Sequence, residues 1–137
     1  MEYDITFPTT FRFLERYCKV ANCDEVTYTF AKYLCELTLL EVKMNRWLPS
    51  RIASSAIYLA KKMTRQEQPW TKTMSKHSNY NLKDVRECAR HIVILVNVAP
   101  GSSVYKPIFN KYSTIKYHRV AKIPVQIKDE WQSKMQE

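Results

Sequence analysis

The residues that could do chemistry are few. Four cysteines (Cys18, Cys23, Cys35, Cys88) and three histidines (His77, His91, His118) include no CxxC pair and no two histidines at paired-ligand spacing, so nothing outlines a metal site. Cys88 and His91, three residues apart, or Cys18 with His91, would make a nucleophile and base, but Cys88 and His91 fall in an apolar helical stretch where such residues pack rather than react. Glu36 and Glu41 are the candidate paired carboxylates. At 100° per residue they point about 140° apart on a helix, too far to share a substrate. The single glycine, Gly101, excludes a glycine-rich phosphate loop, a dinucleotide fingerprint and Asn-Gly hairpins. These observations predict a protein with no catalytic residues, no metal and no cofactor.

What remains is charge. The chain of 137 residues carries +9, distributed as −1 over residues 1–50, +6 over 51–100 and +4 over 101–137. Such a surplus suits nucleic acid, an acidic protein partner or simply a solvated surface. With 45% hydrophobic residues the chain can build one core of ordinary size. No run approaches the roughly 18 apolar residues that span a bilayer, and Glu2 and Asp4 stand where a signal peptide would be basic. The expected location is nucleus and cytoplasm, with no membrane partner and the cysteines serving as small buried hydrophobes in a reducing compartment.

Helices must position these residues. Residues 1–8 read as an extended lead-in, because Pro8 disfavours α geometry at Phe7. Thr9 or Thr10 then caps a first helix that ends near Ala21, with Phe11, Leu14 and Cys18 inward and Arg12, Arg16 and Lys19 outward. Asp24 caps a second helix to about Lys43, apolar except for a wet stripe of Glu25, Lys32, Glu36 and Lys43. A third begins at Pro49, is uncharged from Ile52 to Ala60, rich in Ala and Ser, and reads as the buried centre. Lys61, Lys62 and Arg65 complement its C-terminal dipole. A short helix over 70–76 follows. Asn81 and Asp84 form a capping box for a long helix stopped by Pro100-Gly101, and a last helix covers about 103–112. The predicted core centres on Leu14, Phe30, Leu34, Leu37, Ala53, Ala56, Ala60, Val85 and Ile92. Residues 113–137, basic and without clear periodicity, read as an extended or weakly ordered tail.

Three blocks carry a resemblance: Phe7-Pro8-Thr9-Thr10-Phe11-Arg12-Phe13-Leu14; Ala31-Lys32-Tyr33-Leu34-Cys35-Glu36-Leu37-Thr38-Leu39-Leu40; and Leu48-Pro49-Ser50-Arg51-Ile52-Ala53-Ser54-Ser55-Ala56. Together with Trp70, Tyr80, Leu82 and the run from Lys111-Tyr112-Ser113 to Lys116-Tyr117, the chain resembles the C-terminal cyclin box of a B-type mitotic cyclin. The resemblance implies an all-α, single five-helix cyclin-box fold around a buried central helix. It divides the chain into an inter-box linker remnant (1–8), the box (9–112) and a basic C-terminal tail (113–137).

It also implies a part in a regulatory subunit of a cyclin-dependent protein kinase that controls cell-cycle progression. The family's main kinase contacts and substrate-docking patch belong to a first box, so this chain is expected to be a fragment that supports that box and does not activate a kinase alone. A phosphorylated partner segment is expected near the first two helices, at Arg16, Lys19, Tyr28 and Lys32; Lys32 fits the family pattern, while Glu15 and Tyr28 stand where Arg and His are expected. The alternative is a cyclin-fold module that binds nucleic acid through Lys61, Lys62, Arg65, Lys72, Lys76 and the tail from Lys106 to Lys128, disfavoured by the lack of a groove-reading motif. Without a first box, Tyr3, Ile5, Phe7 and Leu39 would lie uncovered, so self-association of the chain is expected at high concentration.

Overall fold

The computed structural model describes residues 3–66 and 68–125, with side chains from residue 9 onward. Among the described residues there are six α-helices and no strand: α1 (Tyr3–Ala21), α2 (Glu25–Leu39), α3 (Pro49–Met63), α4 (Lys72–Ser78), α5 (Leu82–Val98) and α6 (Lys106–Lys111). Single 3-10 turns at Val42–Arg46, Ala99–Gly101, Ile115–Tyr117 and Val120–Lys122 link and extend them.

Helix α3 lies at the centre and packs against α1, α2 and α5. Every residue from Ile52 to Lys61 is buried, so the helix has no wet face. Ala53, Ala56 and Ala60 let the neighbouring helices approach, and they are fully buried together with Leu14 of α1, Phe30, Leu34 and Leu37 of α2, and Val85 and Ile92 of α5. The two buried serines of α3 are satisfied within the helix. Ser54 and Ser55 donate to the carbonyls of Ser50 and Arg51, four residues back, at 2.8 and 2.7 Å.

Local signals set several boundaries. The Asp24 carboxylate accepts the Thr27 N–H at 2.7 Å and starts α2. Asn81 and Asp84 close a reciprocal capping box on α5 at 2.9 and 3.1 Å, and Pro49 occupies the first turn of α3. Helix α1 ends in a Schellman motif: Asn22 is left-handed at φ 57°, Cys23 N–H bonds the Cys18 carbonyl, and Asn22 N–H bonds the Lys19 carbonyl. Helix α3 ends the same way through left-handed Arg65, with Gln66 N–H on the Lys61 carbonyl.

Other expectations are corrected. The segment expected to be extended is helical from Tyr3, and Thr10 is buried within α1 rather than capping it. Pro8 lies just past the first turn, whose N–H groups have no helical acceptor, so only one hydrogen bond is forgone. Helix α2 stops at Leu39 rather than near Lys43, because the chain tightens into the 3-10 turn that Glu41 caps through the Lys43 N–H. The short helix lies at Lys72–Ser78 rather than over 70–76, and Thr71 caps it.

Glu36 is not on a wet stripe. It is buried, and its Oε1 accepts Tyr112 Oη at 2.9 Å and Lys111 Nζ at 3.2 Å. Glu41 accepts Tyr105 Oη at 3.0 Å. Two carboxylates, one in the last turn of α2 and one capping the 3-10 turn after it, thus hold the segment around α6. The described part of the tail is folded as well: Ala121 N–H bonds the Tyr112 carbonyl, and Val120, Ala121 and Val125 enter the core beside α2. Residues 126–137 lie outside the described residues.

Tyr33 and Tyr112 pack with ring centroids 5.2 Å apart, yet only Tyr112 has a hydroxyl partner; Tyr33 Oη is buried without one, and burial pushes that phenol up to about 12. Tyr112→Phe should therefore destabilise by about 1–3 kcal/mol, whereas Tyr33→Phe should be neutral or stabilising, as read from urea midpoints. Arg65→Gly should raise stability by about 1 kcal/mol in the same assay, since glycine adopts the left-handed region without the cost borne by a side chain.

Candidate functional site

Two surface features bring together side chains of varied chemistry. The first is a shallow depression of about 430 Å³ between the end of α1 and the start of α2, lined by Cys18, Lys19, Asn22, Cys23, Asp24, Glu25 and Tyr28. The Schellman turn builds its floor and the Asp24 cap its edge. Of the residues expected to meet a phosphorylated segment, Lys19 and Tyr28 share this depression. Arg16 and Lys32 do not line it; Arg16 is exposed one turn away with its guanidinium 5.7 Å from the Phe13 ring centroid, and Lys32 is half-buried on α2. Burial raises the pKa of the Tyr28 phenol, and the neighbouring Glu15 adds to the shift. With Lys19 set against Asp24 and Glu25, the lining presents a phosphate dianion with repulsion as well as attraction.

The second feature is an aromatic and cationic platform on Trp47. Arg46 and Arg51 lie over its ring at 4.9 and 4.4 Å from the centroid, and the His91 ring packs against it at 5.5 Å. Arg51 reaches across to α5, donating to the Asp84 carbonyl at 2.9 Å and to Glu87 Oε2 at 3.1 Å. Arg46 Nη2 stands 2.5 Å from His91 Nε2. Because a guanidinium only donates, Nε2 must be the unprotonated acceptor, leaving the proton on Nδ1. Leu48 is exposed beside this platform.

The residues weighed for catalysis each have a packing or binding partner. Cys88 is fully buried and burial pushes its thiol up to about 11, away from the thiolate, while His91 is engaged by Arg46 and Trp47. Glu36 and Glu41 are bound by tyrosine hydroxyls. Three cysteines are buried; Cys23 is only half-buried.

Of the basic residues expected to meet nucleic acid, Arg65, Lys72, Lys76 and Lys106 are exposed, but Lys61 and Lys62 are engaged within the domain. Lys61 is buried, with Nζ donating to the Ala21 carbonyl at 2.7 Å, and so closes the end of α1 rather than facing solvent at the end of α3. Lys62 folds back on Tyr58, its Nζ 3.3 Å from the hydroxyl. Of the apolar residues expected to lie uncovered, Leu39 is half-buried, and the side chains of Tyr3, Ile5 and Phe7 lie outside the described residues. Among the described residues no helix is long and apolar enough to cross a membrane.

Residues 8–126 match the family described as "Cyclin, C-terminal domain". The chain belongs to this family. Among its relatives, a G2/mitotic-specific cyclin-B of Hydra vulgaris is 38% identical over 90% of this chain and 34% of its own length. Cyclin-B2-3 of Arabidopsis thaliana is 32% identical over 89% of this chain and 28% of its own, and a G2/mitotic-specific cyclin-B of Dictyostelium discoideum is 32% identical over 91% and 29%. The chain thus spans about a third of the length of these curated relatives.

The placement of His91 in this platform predicts sensitivity to acid. Burial lowers the His91 pKa, and Arg46 and Arg90 lower it further against the opposing pull of Glu87. A depressed histidine binds a proton more readily in the unfolded chain, so its contribution is complete above the unfolded pKa of about 6.5 and is lost as pH falls below it. The thermal midpoint should drop across that window. His91→Gln, which keeps an acceptor but does not titrate, should flatten this part of the profile.

Proposed function

We propose that this chain acts as the C-terminal box of a B-type mitotic cyclin, the regulatory and non-catalytic subunit of a cyclin-dependent protein kinase that drives cell-cycle progression. The observation that carries the reading is the alignment with B-type cyclins over nine-tenths of the chain. In that role the box buttresses its N-terminal counterpart and offers a secondary docking surface, and it works in the nucleus and cytoplasm. It has no catalytic step of its own. Nothing in the placement of Lys61 and Lys62 favours the nucleic-acid reading.

A chimaera tests it directly. Residues 8–126 replace the C-terminal domain of a B-type cyclin, and phosphorylation of a peptide substrate is measured with the purified kinase. The chimaera should activate the kinase, whereas the chain alone should not. A chimaera that unfolds cooperatively, and is therefore folded, yet leaves the kinase inactive would overturn the proposal. Sequence-selective duplex binding by the chain at physiological salt would do so as well.

A further inference from the structure

Cys18 and Cys23 stand in a relation that packing alone does not require. They occupy the two positions of the Schellman motif whose side chains meet: Cys23 N–H bonds the Cys18 carbonyl at 3.0 Å, and the left-handed Asn22 between them folds the second cysteine back over the first. Such motifs are normally sealed by an apolar contact. Here two thiols fill it, and both line the depression between α1 and α2.

Their surroundings differ. Cys18 is buried, and the neighbouring Cys23 thiol and burial both hold its own thiol up; Cys23 is half-buried, and the Cys18 thiol together with the nearby Lys61 lowers its pKa. Cys23 is thus the thiol closer to thiolate and to solvent, while Cys18 waits behind it as the protonated partner. Cys35 and Cys88 are fully buried.

We propose that Cys18 and Cys23 form a peroxide-sensitive dithiol that closes to an intramolecular disulfide across the end of α1. Hydrogen peroxide is the oxidant. The Cys23 thiolate attacks one peroxide oxygen, the O–O bond breaks, hydroxide leaves, and Cys23 becomes a sulfenic acid. Cys18 then attacks the Cys23 sulfur; its proton leaves with the sulfenic hydroxyl as water, and the S–S bond forms. Two thiols are oxidised by two electrons and one peroxide is reduced. The product staples the C-terminus of α1 to the loop entering α2, beside the Ala21 carbonyl that Lys61 holds.

The test treats the intact chain with near-stoichiometric hydrogen peroxide and maps its thiols by mass spectrometry. The expected result is loss of two hydrogens, assigned to a Cys18–Cys23 link and reversed by dithiothreitol, while Cys35 and Cys88 remain free. In Cys18→Ala, Cys23 sulfenic acid should persist and be trapped by dimedone; in Cys23→Ser, Cys18 should stay reduced. Circular dichroism melts establish that each variant is folded, and iodoacetamide labelling of the native wild-type chain gives a readout independent of either substitution. There Cys23 should react faster than Cys35 or Cys88. Reaction of Cys23 no faster than these, or persistence of the sulfenic acid in the wild-type chain without a disulfide, would overturn the proposal.

Discussion

The constraint on which the rest depends is the enclosure of α3. A helix buried on every side can neither hydrate a polar side chain nor leave one unpaired, and it must let its neighbours come close. The run from Ile52 to Lys61 meets both demands with alanines, with serines that bond their own helix, and with one lysine. That lysine is the revealing residue. Lys61 reaches out of its helix to the last carbonyl of α1, so the group most costly to bury at the centre also closes the end of a neighbour. Removing it would leave a helix terminus short of a donor, whereas shortening an alanine contact would leave only a small gap.

Outside that hub, α6 and the chain beyond it are held by polar contacts of long reach. Glu36 and Glu41 project from the end of α2 and its following turn, and they receive Tyr112, Lys111 and Tyr105 from more than 60 residues away. Helix α6, from Lys106 to Lys111, is too short to be stable alone. Its position rests on these hydroxyl–carboxylate bonds, and on the burial of Tyr105, Tyr112, Val120 and Val125 around it.

This division explains what could be read from the sequence. Asp24, Pro49 and the Asn81–Asp84 box act within a few residues, so their types reveal their function, and the charge-free stretch of α3 marks burial without reference to any partner. Glu36 was invisible to the same reasoning, because a helical wheel treats charge as wet and cannot know that a tyrosine 76 residues on will cover it. The burial of the tail is hidden for a like reason: Val120, Ala121 and Val125 lie in a turn and its sequel with no period to betray them, and the turn finds its place against α2. At the candidate site, Lys19 and Tyr28 meet because the Schellman turn ends α1, and Arg16 is left out because it lies nearer the helix middle. The Cys18–Cys23 relation was legible in principle. Five residues spanning a helix end with Asn at the left-handed position is the spacing of that motif.

The scarcity of glycine reads differently once the left-handed positions are known. Gly101 has no positive φ, and a Cβ there would meet nothing within 4 Å, so the one glycine stands where its freedom is not required. The positions that do require it are filled by Asn22, Arg65, Asn79, His118 and Arg119. Asparagine bears that conformation well; arginine and histidine do so only when tertiary contacts hold the turn. His118 illustrates this, lying 3.3 Å from Glu25 at the start of α2. The same logic extends to the net charge of +9. Lys61 closes a helix, Arg51 bridges α3 to α5, and Lys111, Arg46 and Lys62 lie over aromatic rings. These cations are engaged with carbonyls, carboxylates and ring faces inside the domain. With no glycine at these positions, α1 and α3 end in Schellman turns on Asn22 and Arg65, and Lys61 adds a tertiary donor to the end of α1.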